Sequence, residues 1–274
     1  MTKKQKNSQV KETRCLNGGD LAGCSIPDTR CSMSIKNRES RIESTSISVF
    51  FPCYNEQDNV ARTVEQALSV LQQQSYDFEV IIVDDGSTDT TGQIADEIAS
   101  RDSRVKVVQH RTNLGYGAAL QSGFKAATKE LVFYTDGDGQ FDINELPPLL
   151  PLMDKADIVS CYRLNRQDPL VRKINAWCWT RLVCWLFGMK VRDINCAFKL
   201  YKREIFDNIE LSSSGALIDA EILAKASHKG YSITQKGVHH YPREAGSQTG
   251  ARPKVIFRAF KELFKLYRQI KLDA

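Results

Sequence analysis

An α/β protein, with a mostly parallel sheet covered by helices on both faces, is predicted by three observations. Short β-rich runs at 47–51, 78–83, 105–108 and 131–135 alternate with segments whose apolar residues recur at helical spacing. The run at 78–83 is too apolar to be exposed on either face, so helices must cover both. Carboxylates gather where the runs stop, at Asp84, Asp85, Asp136 and Asp138, and open α/β sheets hold ligands at the C-terminal ends of their strands.

Taken in order, residues 1–45 mix Lys, Arg, Ser, Asn and Gly without hydrophobic periodicity and read as a flexible leader. The first strand, 47–51, stops at Pro52 and passes through Tyr54-Asn55-Glu56 into a helix marked by Val60, Val64, Leu68 and Leu71. The second strand runs into Asp84-Asp85-Gly86-Ser87-Thr88-Asp89 and a helix through Ile94 and Ile98. The third leads through Asn113-Leu114-Gly115-Tyr116-Gly117 to a helix over 118–127, so 131–135 is the fourth strand of a βαβαβαβ series. Residues 156–163 read as one further strand ending at Arg163. Residues 170–191 place Leu170, Ile174, Trp177, Leu182 and Trp185 at helical spacing among Arg172, Lys173, Arg181 and Lys190, a pattern that suits a core helix or a membrane interface equally. Asp219-Ala220-Glu221 opens a helix through Ile222, Leu223 and Ala226. The expected organisation is a leader over 1–45, one α/β domain over 46–250 and an amphipathic helix over 251–274. In that last helix Ile256, Phe260, Leu263, Tyr267 and Ile270 gather on one side and Lys254, Arg258, Lys261, Lys265 and Arg268 on the other, as in a helix lying on anionic lipid.

Composition excludes several classes. The chain has 274 residues, 42% hydrophobic and 26% charged, which is ordinary for a soluble globular protein. Its eight cysteines form no Cys-x-x-Cys pair and join no histidine at finger spacing, which reads as reduced thiols in a cytoplasmic protein. No apolar h-region follows the basic start, and no run of about 18 apolar residues occurs, so neither a signal peptide nor a membrane-spanning helix is expected. The net charge of +5 resides in the leader and the C-terminal segment without a helix-turn-helix or aromatic RNA-binding signature, so no nucleic-acid partner is expected.

The chemistry centres on Asp136-Gly137-Asp138-Gly139-Gln140. Two carboxylates flank a glycine at a strand end, a spacing of hard oxygen ligands that suits Mg²⁺ or Mn²⁺ carrying a diphosphate. An EF-hand fails, because the twelfth position from Asp136 is Pro147. Gly115 and Gly117 lack the third glycine of a dinucleotide fingerprint, and no P-loop occurs. Four acids on one sheet edge would repel one another unless a cation, or donors such as ribose hydroxyls, sat among them.

The ordered set Phe51-Pro52-Cys53-Tyr54-Asn55-Glu56, Val83-Asp84-Asp85-Gly86-Ser87-Thr88-Asp89, Asn113-Leu114-Gly115 and Asp136-Gly137-Asp138-Gly139-Gln140 resembles the family 2 glycosyltransferases of GT-A fold, and among them the dolichyl-phosphate-mannose-synthase-like branch. The resemblance implies that Pro52, Tyr54, Glu56, Asp84 and Asp85 hold the nucleotide sugar, and that Asp136, Asp138 and Gln140 hold the cation and diphosphate. It further implies that Arg163, Lys199 and Arg243 supply cations to phosphate, that Asp219 approaches the acceptor, and that Ser247 lies in a loop closing over the donor. Two positions depart from the branch's pattern, Cys161 and Ala197 standing where it has glycine.

The reaction so implied is in-line, inverting transfer of a hexose from a GDP-mannose- or UDP-glucose-type donor to a polyprenyl or dolichyl phosphate, with Asp138 as a catalytic carboxylate. A phosphate acceptor brings its own oxyanion at neutral pH, whereas a hydroxyl acceptor would need a base such as Asp219. Transfer to a soluble hydroxyl and non-catalytic binding of a nucleotide sugar are the alternatives. Peripheral attachment to the cytoplasmic face of a membrane accompanies the lipid reading, and the oligomeric state is left open.

Overall fold

In the computed structural model, which describes residues 46–164, 166, 170–242 and 253–272, the apolar runs form the centre of one sheet. Strands β1 (Ser46–Cys53), β2 (Asp77–Asp84), β3 (Val105–Gln109) and β4 (Leu131–Thr135) lie parallel in the order β3-β2-β1-β4, joined by helices α1 (Val60–Gln73), α2 (Thr91–Arg101) and α3 (Tyr116–Ala126). β1 continues through Pro52 to Cys53, two residues beyond the expected end at Phe51, and pairs Cys53 with Asp84.

The sheet is extended by β7 (Phe198–Lys202), β5 (Ile158–Ser160) and β8 (Ile233–Thr234). β7 runs antiparallel to both β4 and β5, and no hydrophobic alternation singled it out, because Lys199 and Lys202 interrupt it. The expected single strand over 156–163 is two: after β5 the chain leaves the main sheet at Cys161, and β6 (Tyr162–Leu164) pairs with β9 (Gly237–His239) in a separate ribbon.

Alternation along the strands feeds two cores. Val49, Phe51, Val80, Ile82, Phe133, Phe198 and Leu200 face α1 and α2, where Val60, Val64, Leu71 and Ala95 complete the packing. Phe50, Ile81, Val83, Val132, Tyr134 and Tyr201 face α3, α4 (Leu170–Phe187), α6 (Ile218–His228) and α7 (Pro253–Leu272), the short α5 (Glu204–Asn208) lying beside them. At the opposite edge from the carboxylates, buried Glu79 joins four segments by accepting from Ser48 Oγ, Lys106 Nζ and the Thr128 N–H and O–H.

The helices α4 and α7 both divide their side chains between the domain and solvent. α4 buries Thr180 and Val183 and rests Trp179, Leu182, Leu186 and Phe187 against the core, while Trp177 and Trp185 are 60% and 79% exposed. α7 is not free to present its whole apolar stripe, since Leu263 and Leu266 are buried against the domain, Phe260 meets Trp179 edge-on and Tyr267 lies against Phe187. The Lys254, Ile256 and Arg258 side chains lie outside the described residues, as does the leader. No helix among the described residues is long and apolar enough to cross a membrane.

Candidate active site

The register that places Cys53 beside Asp84 and Phe50 beside Tyr134 brings the ends of β1, β2 and β4 abreast. Cys53 marks the centre of the result: burial, and then the Glu56, Asp84, Asp136 and Asp138 carboxylates, push its thiol well above the usual range. Four of the acids expected at the site therefore converge on one point. Asp84, the last residue of β2, turns toward α2, accepting the Ser87 N–H on Oδ1 at 3.0 Å. Its Oδ2 lies 2.8 Å from where a Cβ on Gly92 would stand, so α2 can approach this closely only with glycine there.

The loop after β1 is stitched to the loop after β2. Asn55, at φ 56°, accepts the Thr88 N–H on Oδ1 at 2.8 Å while its own N–H donates to Ser87 Oγ at 2.9 Å. The Glu56 N–H donates to Thr91 Oγ1, and buried Glu56 accepts from Asn59 Nδ2 at 2.9 Å. The polar residues of Ser87-Thr88-Asp89 thus hold the cradle together, with Tyr54 exposed on it and Pro52 buried beneath it. Arg62 on α1 also reaches this edge: a Cβ at Gly139 would come within 2.7 Å of its guanidinium.

Asp136 and Asp138 are half-buried and stand on a turn pressed against β1, where a Cβ on Gly137 would come within 2.6 Å of Cys53 Sγ. Asp136 accepts the Tyr116 hydroxyl at 3.0 Å, and Asp138 Oδ1 accepts the Gln140 N–H at 3.1 Å. Burial, followed by the neighbouring Asp138 carboxylate, pushes Asp136 up to about 8. Two carboxylates that oppose each other's ionisation are the donor set a dication relieves. Among the described residues no group of three or more His, Cys, Asp or Glu could hold a metal alone. The pair therefore fits Mg²⁺ or Mn²⁺ whose remaining positions are filled by water and substrate phosphate. Gln140, expected as a ligand, donates its side-chain N–H to the Tyr241 carbonyl at 2.9 Å and accepts the Tyr241 N–H on its main-chain carbonyl. It ties down the chain just before residues 243–250, which include Arg243 and Ser247 and lie outside the described residues.

Four of the expected site residues are taken up by the fold. Lys199 does not face phosphate: on a central strand its side chain is 0% exposed, and Nζ donates to Asp219 Oδ1 at 2.5 Å, the Cys196 carbonyl at 2.7 Å and Tyr134 Oη at 3.0 Å. Asp219 is correspondingly committed, its Oδ1 accepting the Tyr134 hydroxyl as well. Arg163 is gripped by Asp193, Nε to Oδ2 at 2.8 Å and a terminal nitrogen to Oδ1 at 2.9 Å. Burial works to raise Asp193, and the Arg163 guanidinium overcomes it and holds the carboxyl below its ordinary range. Asp85 points away from Asp84, as alternate residues must, and both its oxygens are engaged by the loop before α3. Tyr116, Tyr134 and the pairing role of Asp193 were missed; only the position of Tyr116 between two glycines marked it in the sequence.

A mostly parallel sheet that presents an Asp-Gly-Asp turn beside a buried strand-end Asp is the GT-A arrangement. The chain belongs to the family described as Glycosyl transferase family 2, whose profile matches residues 48–210. It is 31% identical over 181 residues to a dodecaprenyl-phosphate galacturonate synthase of Rhizobium johnstonii, covering 65% of this chain and 54% of the relative. An undecaprenyl-phosphate 4-deoxy-4-formamido-L-arabinose transferase of Pseudomonas fluorescens is 30% identical over 218 residues, 78% of this chain and 62% of the relative. The chain spans about half the length of the curated relatives it matches. Among solved structures, mannosyl-3-phosphoglycerate synthase from Rubrobacter xylanophilus has a TM-score of 0.64 at 16% identity, covering 86% of this chain and 77% of that one. Glucosyl-3-phosphoglycerate synthase from Mycobacterium tuberculosis in complex with Mn²⁺, uridine diphosphate and glucosyl-3-phosphoglycerate has a TM-score of 0.58 at 20% identity, covering 92% and 84%. These two likenesses establish the fold.

Proposed function

We propose that this chain transfers a hexose from a nucleoside diphosphate sugar, of the GDP-mannose or UDP-glucose type, to a polyprenyl phosphate, with inversion. The observation that carries the reading is the strand-end geometry: the register sets Asp84 beside Cys53, and the Asp136-Gly137-Asp138 turn presses on the Cys53 sulfur, with Glu56 in the adjoining loop. Asp84 and Glu56 accept from the base and ribose, with Tyr54 and Pro52 shaping the cradle. Asp136 and Asp138 hold Mg²⁺ or Mn²⁺, which when bound neutralises the charge on the departing diphosphate. The similarity to a dodecaprenyl-phosphate and an undecaprenyl-phosphate sugar transferase supports a polyprenyl-phosphate acceptor. The site's own chemistry supports it too: Asp219 is engaged by Lys199 and Tyr134, and a phosphate acceptor supplies its own oxyanion, so it asks for no base there. Lys199 and Asp219 then act by fixing the floor beside Asp136, and Arg163 by holding the chain between β6 and β7.

An acceptor carried on lipid places the protein at a membrane surface. Leu170, Val171, Ile174, Trp177 and Trp185 on α4, with Phe260 and Phe264 on α7, form the apolar part of the contact, and Lys261, Lys265 and Arg268 the cationic part. The test is incubation with a panel of nucleotide sugars, Mg²⁺ or Mn²⁺ and a polyprenyl phosphate. Sugar recovered on the lipid phosphate is expected; transfer confined to a soluble sugar or protein hydroxyl overturns the acceptor.

A further inference from the structure

Asp85 begins a chain of contacts that the transfer reaction leaves unexplained. His110 Nδ1 lies 2.6 Å from Asp85 Oδ1, and His110 Nε2 lies 2.9 Å from Ser122 Oγ on α3. The histidine and aspartate side chains are 9% and 4% exposed. Because an ionised carboxylate can only accept, the ring donates from Nδ1 to Asp85, and Nε2 pairs with the Ser122 hydroxyl. Asp85 also accepts the Leu114 N–H on Oδ1 and the Gly115 N–H on Oδ2, both at 2.9 Å. Gly115, at φ 101°, begins α3, and the next residue, Tyr116, places its hydroxyl on Asp136. The turn has no slack against β2, since a Cβ on Gly86 would stand 2.3 Å from the Thr112 carbonyl carbon.

An Asp-His-Ser series invites comparison with nucleophilic hydrolases. Ser122 lies inside α3, however, where main-chain N–H groups are engaged by the helix, so it lacks the backbone donors that would stabilise an acyl-transfer oxyanion. We propose instead that Ser122, His110 and Asp85 form a relay that fixes the N-terminus of α3 and so sets the Tyr116 hydroxyl on Asp136. Tyr116 and His110 are then positioning residues of the cation and diphosphate site. The role of Tyr116 rests on the cation reading of Asp136 and Asp138 given above; the relay itself does not.

Two measurements on the whole chain test this: amide exchange at Leu114 and Gly115 without nucleotide or metal, and titration with Mn²⁺ in the presence of UDP or GDP. His110→Ala is expected to speed exchange at both amides at least about tenfold and to weaken Mn²⁺ binding about tenfold, as loss of a supporting partner does. His110→Asn, whose Nδ2 replaces the Nδ1 donor, should restore both. Tyr116→Phe should leave exchange unchanged and weaken Mn²⁺ binding by a similar factor. Parental exchange in His110→Ala overturns the relay, and parental Mn²⁺ binding in Tyr116→Phe overturns its positioning role. A parental protein that fails to bind Mn²⁺ in the presence of either UDP or GDP overturns the cation reading, while the exchange data still decide the relay.

Discussion

Lys199 is enclosed by Asp219, Tyr134 and the Cys196 carbonyl, so its charge is balanced locally and has no reach to a substrate. Removing one partner of such a pair leaves an uncompensated buried charge. Lys199→Met should therefore cost about 3–5 kcal/mol in urea unfolding, and adding Asp219→Leu should recover a large part of that. Asp138 is different, because it is half-exposed and its carboxyl oxygen accepts the Gln140 N–H, a contact that an amide oxygen can keep. Asp138→Asn should keep the melting temperature within a few degrees while lowering turnover at least about a hundredfold, since an amide cannot supply the anionic ligand. Asp136 adds a pH dependence of definite sign. Its carboxyl, raised to about 8, holds at neutral pH a proton that a dication must expel. Mn²⁺ affinity should therefore rise between pH 6 and 8, approaching about tenfold per unit, with proton release visible by calorimetry in two buffers; a flat profile counts against the assignment.

Glu79 shows what holds the elements in register at the edge away from the site. Burial would raise its carboxyl, but hydrogen bonds from Lys106, Ser48 and Thr128 hold it down at about 2. A carboxyl depressed in the folded state stabilises above its ordinary range and loses that contribution as pH falls toward the folded value. Glu79→Gln should cost about 1–3 kcal/mol at pH 7. The gap from the parental protein should narrow as pH is lowered from about 4.5 toward 2, as read from urea midpoints. The helices α4 and α7 make the complementary case, elements whose side chains are not all taken up by the fold. Replacing both Trp177 and Trp185 with Ser should leave the melting temperature nearly unchanged, given their exposure.

At the scale of the whole molecule, the proposed membrane contact would draw on the net charge of +5 and the exposed tryptophans together. Cosedimentation with anionic vesicles at low salt should fall at least about tenfold in the double Trp variant and weaken for the parental protein as salt rises, since surface charges are screened over about 10 Å at 0.1 M. Equal binding by the two proteins would remove α4 from the membrane contact. Because α7 packs on the domain through Leu263 and Leu266, removing residues 252–274 should lower thermal stability as well as vesicle binding, a pairing that a detached anchor would not give.

Strand and helix order through residue 135, and the strand-end acids Asp84, Asp136 and Asp138, were legible because each rests on local pattern: β-rich runs, helical spacing and acids at strand ends. The same holds for the glycine between Asp136 and Asp138, which the close approach to Cys53 requires. Glu56 was marked only by the family resemblance. What the sequence could not determine is which neighbour each charged side chain meets. Arg163 and Lys199 read as cations for phosphate, yet departure of the chain from the sheet at Cys161 delivers one to Asp193, and the antiparallel insertion of β7 buries the other beside Asp219. Asp84 and Asp85 are adjacent in sequence, and only the pleat of β2 sends one to the cradle and the other to the loop before α3. Likewise the apolar stripe of α7 was evident from spacing, but whether lipid or protein covers it is settled by packing across residues far apart in the chain, and Leu263 and Leu266 are covered by protein.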